Sequence, residues 1–164
     1  MQVEVNFRTQ GHTYSRQQPS ILFGRTRTAP PYFTEIIPRE LYISNLEGAC
    51  DLINLHAKGI THIVSVLKTR CSDECSKSIQ RLWLPIVDSA AKVREFESLW
   101  PEALKFLRDC RKSHGTALVH CRAGMSRSST VVLAHLMEYD CLSLRDAWNL
   151  LKGLHEIASP ITVC

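Results

Sequence analysis

One stretch constrains this chain more than any other: LVHCRAGMSRSST, Leu118 to Thr130. It sets His120, Cys121, Gly124, Arg127 and several hydroxyl side chains between two apolar segments. The first, TALVH, reads as a buried strand, and the second, RSSTVVLAHLMEY, is apolar on nearly every side, as a central buried helix would be. A short glycine-containing loop between such elements turns several backbone N–H groups inward and makes an anion nest. The helix dipole adds positive potential at the same point. The planar guanidinium of Arg127 is shaped to grip two oxygens of a phosphate, which a lysine could not do. A cysteine in these surroundings is favoured as thiolate. The spacing therefore closes a ring around an anion, with Cys121 as a nucleophile at its floor.

The flanking pattern supplies a scaffold. From Glu35 onward strand and helix signals alternate. EIIPRELYIS reads as strand material around a turn. NLEGACDLINLHAKG reads as one helix, capped by Asn45 and stopped at Gly59. THIVSVL and QRLWLPI read as short strands. SLWPEALKFLRDCRKSHG reads as a helix with Ser98 as cap and Pro101 in its first turn. SLRDAWNLLKGL reads as a last helix with a capping box of Ser143 and Asp146. This order predicts an α/β domain with a central, mostly parallel sheet flanked by helices. Ligands of such sheets bind at the carboxyl ends of the strands, which is where Cys121 falls.

Residues 1–34 differ from the rest. They are polar and carry four arginines against one acidic residue, Glu4, a local +3. They are expected to form an extended or disordered basic arm, with Ile21-Leu22-Phe23 as its one apolar patch. Residues 35–164 then form the catalytic domain. The net charge of +4 is mild and forms no Lys/Arg block, so it suits phosphorylated partners and gives no indication of nucleic acid. No apolar run is long enough for a bilayer, and the opening MQVEVNFRTQ holds no signal-like apolar region. The seven cysteines are odd in number and irregularly spaced, which reads as free thiols in the cytoplasm and/or nucleus. Cys71 and Cys75 have no second pair at zinc-finger spacing, so no metal is expected.

HCRAGMSRS matches the pattern His-Cys-five residues-Arg-Ser/Thr, and the chain from about Glu35 to Pro160 resembles the cysteine-dependent protein phosphatases, most closely the dual-specificity class in its small atypical form. That resemblance implies a phosphatase acting on phosphotyrosine and phosphoserine/threonine through a phosphocysteine intermediate, without metal or cofactor. Cys121 would attack phosphorus. Arg127, with the loop N–H groups of Arg122, Ala123, Gly124, Met125 and Ser126, would bind the phosphoryl oxygens. Ser128 would hydrogen-bond the sulfur as it leaves, and His120 would orient the loop. The family's general acid is an aspartate about thirty residues upstream. Asp88, thirty-three residues before Cys121 and directly after LWLPIV, fits better than Asp73 or Asp109.

Blander roles stand beside these. Cys121 alone would be a core thiol. His120 would satisfy a backbone carbonyl, Ser128 would cap the helix, Asp88 would cap a turn before SAAKV, and Arg122 would be solvated. Ser126 and Ser129 read as loop and helix-start residues. At the level of function, a phosphoprotein-binding module or a phosphatase of phosphoinositides or RNA ends are the alternatives. The binding module predicts loss of Cys or Arg, and a lipid phosphatase predicts lysines within the loop, where this chain has Arg122, Ala123, Gly124, Met125 and Ser126. Two further expectations follow. Relatives usually continue past the SP dipeptide with one more apolar helix, which this chain is expected to lack; the arm or a homodimer would then cover that face. Cys71, Cys75 and Cys110 are candidates for a reversible disulfide with Cys121.

Overall fold

The computed structural model describes residues 8–9, 12–13, 32–70, 78–87 and 93–161. Asp88, Cys71, Cys75, Asp73 and the Ile21–Phe23 patch lie outside the described residues, as does everything beyond Ile161, where the expected lack of a last helix would bear. In the arm, β1 (Arg8–Thr9) pairs antiparallel with β2 (His12–Thr13).

The main sheet begins with a hairpin. β3 (Phe33–Ile37) and β4 (Leu41–Ser44) run antiparallel around a turn in which the Glu40 N–H donates to the Ile37 carbonyl at 3.0 Å. Pro38, which has no N–H to offer a ladder, sits where the chain leaves the sheet. β5 (Ile60–Val66), β6 (Gln80–Leu84) and β7 (Thr116–His120) complete five strands in the order β3-β4-β7-β5-β6. The pairs β4–β7, β7–β5 and β5–β6 are all parallel, so the antiparallel β3 is the one exception within this sheet. The expected mostly parallel α/β sheet is what forms.

Alternate side chains of the strands feed two apolar layers. Leu41, Ile43, Val64, Val66, Ala117 and Val119 pack with residues of α3 (Val93–Lys112), α4 (Arg127–Tyr139) and α5 (Leu144–Leu154). On the other face Tyr42, Ile63 and Leu118 pack with Ala49 and Leu55. Burial on both faces is why the β5 and β7 segments read as apolar runs rather than alternating ones.

Two helices differ from the sequence reading. The stretch from Asn45 to Gly59 is two short helices, α1 (Leu46–Ala49) and α2 (Leu52–Ala57). Asn45 caps the first by accepting from the Gly48 N–H at 2.9 Å. Asp51 caps the second by accepting from the Asn54 N–H at 3.1 Å. A carboxylate that satisfies the backbone two or three residues on competes with helix continuation, and Asp51 thereby splits the segment. α3 starts at Val93, so Ser98 is an interior residue rather than its cap, and Pro101 lies inside the helix. α5 begins as expected: the Ser143 hydroxyl accepts from the Asp146 N–H at 3.2 Å and donates to its carboxylate at 2.7 Å. Among the described residues no helix is long and apolar enough to cross a membrane.

Candidate active site

Register brings Ser44, Ser65 and His120 level at the carboxyl ends of three adjacent strands, since His120 is the ladder partner of both serines. Cys121 follows directly and is buried, while α4 begins at Arg127. The residues between them wrap around the sulfur. The Gly124 N–H donates to Cys121 Sγ at 3.2 Å, and Ser128 Oγ stands 3.3 Å from the same atom. The N-cap position of α4 is Ser126, and Ser128, the second residue of the helix and fully buried, faces the thiol. The blander role of Ser128 as cap is not met, since the N-cap position is Ser126, whose side chain makes no capping bond.

Arg127 is buried, and its Nη1 donates to the Ile86 carbonyl at 3.2 Å. That bond ties the guanidinium to the chain just beyond β6 and restrains an otherwise flexible side chain. Ile86 precedes Asp88 by two residues in the sequence. Asp109, the runner-up acid, is on α3 and pairs with Lys105 at 2.7 Å. It neighbours Cys110, whose carbonyl accepts from the Gly115 N–H just before β7 begins. Cys110 therefore belongs to the opposite end of a five-residue strand from Cys121, about 17 Å away by strand rise. Burial pushes its thiol up to about 11, so it is neither near nor reactive enough to pair with Cys121.

His120 is held at both ring nitrogens. Nδ1 lies 3.3 Å from the Cys121 carbonyl and Nε2 2.7 Å from Ser65 Oγ. A carbonyl only accepts, so Nδ1 carries the proton and the serine hydroxyl donates to Nε2. Burial, opposed by that backbone bond and aided by the Arg81 charge, brings the ring down to about 4. His120 is consequently neutral near neutral pH and fixes the backbone of Cys121 by hydrogen bonding.

The outer side of the loop is pinned by residues that no local sequence pattern marks. The Leu46 N–H donates to the Arg122 carbonyl at 3.2 Å, and the Ser159 N–H donates to the Met125 carbonyl at 2.9 Å. The Tyr32 hydroxyl donates to the Ala123 carbonyl at 2.7 Å, and His155 Nε2 donates to the Gly124 carbonyl at 2.8 Å. Tyr32, Thr34, Ser65 and His155 were invisible to motif reading because their partners lie 31 to 121 residues away. Ser65, a lone hydroxyl in an apolar strand, is the one whose surroundings signal a buried partner. Arg122 and Ala123 are exposed at the mouth with Met125, and Gly124 is buried against Ser44 and Tyr32.

A buried thiol that receives a backbone N–H, just before the start of a helix and in one loop with a tethered arginine, is an arrangement chemically able to hold an anion beside a nucleophile. Known proteins resemble the chain in sequence and in fold. The family model described as the dual specificity phosphatase catalytic domain matches residues 41–162. Human dual specificity protein phosphatase 15 is 34% identical over 127 residues, covering 77% of this chain and 42% of that protein. The probable rhodanese domain-containing dual specificity protein phosphatase of Dictyostelium discoideum is 33% identical over 129 residues, covering 79% of this chain and 26% of that one. This chain thus spans less than half the length of these two relatives. Among solved structures, that of DUSP15 superposes with a TM-score of 0.70 at 32% identity, covering 78% of this chain and 79% of the other. That of human DUSP28 superposes with a TM-score of 0.72 at 25% identity, covering 82% and 88%. With the matched region running from β4 to the segment after α5 and enclosing the whole thiol loop, the chain belongs to the dual specificity phosphatase family.

Proposed function

We propose that this chain is a cysteine-dependent phosphatase that removes phosphate from tyrosine and from serine or threonine of phosphorylated proteins, working in the cytoplasm and/or the nucleus. The observation that carries the reading is the pair of contacts on Cys121 Sγ, one from the Gly124 N–H and one with Ser128 Oγ. In the first step Sγ attacks phosphorus as the bond from phosphorus to the substrate oxygen breaks, and Asp88 gives its proton to that oxygen. Arg127 and the N–H groups of residues 122 to 127 take the three non-bridging oxygens. In the second step water attacks phosphorus, Asp88 accepts a proton from it, and the sulfur–phosphorus bond breaks. The Ser128 hydroxyl stabilises the departing thiolate, and inorganic phosphate leaves. Every group the cycle needs comes from the chain itself, so no metal enters it. Met125, 41% exposed, stands at the rim of the loop, where it is available to contact substrate side chains of different length.

Hydrolysis of a small aryl phosphate without added metal tests the proposal. Cys121→Ser abolishes turnover, and Asp88→Asn lowers kcat by about a hundredfold or more, the range of general acid catalysis. Turnover surviving Cys121→Ser would overturn the reading. A wild-type domain that folds and binds phosphopeptide but turns nothing over would replace it with the binding-module alternative.

A further inference from the structure

The carbonyls of Arg122, Ala123, Gly124 and Met125 are consecutive, and each accepts a hydrogen bond from outside the loop. A trans peptide carries its C=O and its N–H on opposite edges of one plane, and no cis peptide occurs among the described residues. Pulling a carbonyl outward therefore aims the next N–H inward. The Ala123–Gly124 plane shows both ends of this relation. Its carbonyl accepts from the Tyr32 hydroxyl at 2.7 Å, and its N–H reaches Cys121 Sγ at 3.2 Å. The next plane has its carbonyl on His155 Nε2 at 2.8 Å, which leaves the Met125 N–H on the inner edge.

We infer that Tyr32 and His155 form a side-chain clamp that sets the inward N–H groups of the phosphate loop, making them positioning residues for Cys121 and for the bound phosphoryl oxygens. The inference rests on the reading of this loop as a phosphate cradle. The outer two planes are held by backbone N–H groups, which mutation leaves in place; the inner two hang on these two side chains. The clamp is itself fixed. Asn45 Oδ1, which caps α1, also accepts from the Tyr32 N–H at 3.4 Å. The Tyr32 and His155 rings lie 5.6 Å apart, and His155 Nδ1 is 3.0 Å from Thr34 Oγ1 on β3. Because the Gly124 carbonyl only accepts, Nε2 holds the proton and the Thr34 hydroxyl donates to Nδ1. Burial keeps His155 below its ordinary range, so the ring is neutral and has this one arrangement. Glycine at 124 completes the fit, since a Cβ there would run into the Tyr32 hydroxyl.

The test reads the thiol rather than turnover, so it stands apart from the test of phosphatase activity. Cys121 alkylation by iodoacetamide is followed at about pH 6 and about pH 9, together with protection by inorganic phosphate. Tyr32→Phe keeps the ring and loses the donor. It slows alkylation roughly tenfold at the lower pH and leaves the higher-pH rate unchanged, the size of one lost hydrogen bond to an anion. His155→Ala raises the phosphate concentration needed for protection about tenfold. His155→Gln restores it, because its amide N–H replaces Nε2–H. Should His155→Ala fail to fold, Tyr32→Phe and His155→Gln carry the test unaided. Unchanged ratios in folded Tyr32→Phe protein, or faster alkylation at both pH values from a loosened loop, would overturn the inference. So would a His155→Gln protein that protects no better than the alanine variant. An inactive parent whose alkylation still responds to Tyr32→Phe would leave the clamp standing and remove the catalytic reading.

Discussion

At Gly124 two constraints coincide: a φ of +71°, and a Ser44 carbonyl oxygen 2.6 Å from where a Cβ would stand. An L side chain meets strain from the first and collision with fixed backbone from the second. Gly124→Ala is therefore expected to cost about 1–3 kcal/mol of stability and most of the turnover, because the N–H on Cys121 Sγ moves with the displaced backbone. Thermal melts and aryl phosphate hydrolysis of the one variant check both halves; full activity would mean that the loop tolerates a different path. This glycine, Cys121 and Arg127 were legible from the spacing of one contiguous stretch, and Ser128 and His120 from the family pattern that the same stretch matches; the structure brings Gly124 and Ser128 onto the Cys121 sulfur. Tyr32 and His155 were not readable, and Ser65 only as a lone hydroxyl in an apolar strand, with no sign of which partner it meets. Each acts on the loop from another element, and nothing in its own neighbourhood requires the partner it finds. Asp88 falls between: its distance from Cys121 comes from the family pattern, and its place lies outside the described residues.

At the scale of elements, α3 shows where local signals mislead. Pro101 and Ser98 together mimic a helix start, yet the helix begins at Val93 and runs through the proline. The proline removes the N–H that would reach the Glu97 carbonyl, and a continuous helix carries that loss as long as its packed face holds it. That face is Ala103, Leu107 and Cys110, all buried in the larger apolar cluster and all C-terminal to the proline. Replacing Pro101, itself exposed, with alanine restores the bond without touching the packed face. Pro101→Ala should stabilise the domain by about 1–2 kcal/mol after the greater freedom of the unfolded chain is subtracted. Urea unfolding measures it, and a drop in midpoint would show that the ring makes contacts worth more than the missing bond. The split between α1 and α2 has the reverse logic. Asp51 is a strong cap signal that periodicity alone passes over, since apolar residues continue at helical spacing on both sides of it. Strand positions were more legible than helix ends because Gly59 and Gly115 stand directly before β5 and β7 and Pro85 directly after β6, which leaves little freedom in where those strands begin or stop.

For the whole molecule, burying neutral histidines couples the site to global stability. His120 and His135 are both brought down to about 4, mainly by burial. His120 faces Ser65 and the Cys121 carbonyl under the field of Arg81; His135 stacks on Tyr139 near the charge of Arg111. In the unfolded chain each ring titrates at its ordinary 6.5. Between those values the unfolded state binds protons that the folded state refuses, so stability is whole above pH 6.5 and falls as the pH drops toward 4. Each ring contributes a slope of about 1.4 kcal/mol per pH unit within that window. Since a domain's total stability is only about 5–15 kcal/mol, two such rings make acid a destabilising condition for this one. His135 lies in α4, away from the thiol, and its Nδ1 has no hydrogen-bond partner among the described residues. His135→Gln should therefore flatten the loss of urea midpoint between pH 6.5 and 4.5 by about half of what the pair contributes, with Cys121 alkylation at neutral pH unchanged. A slope identical to the parent's would assign the acid sensitivity to the remaining buried histidines, among them His120 and His155, which both hold the loop around Cys121.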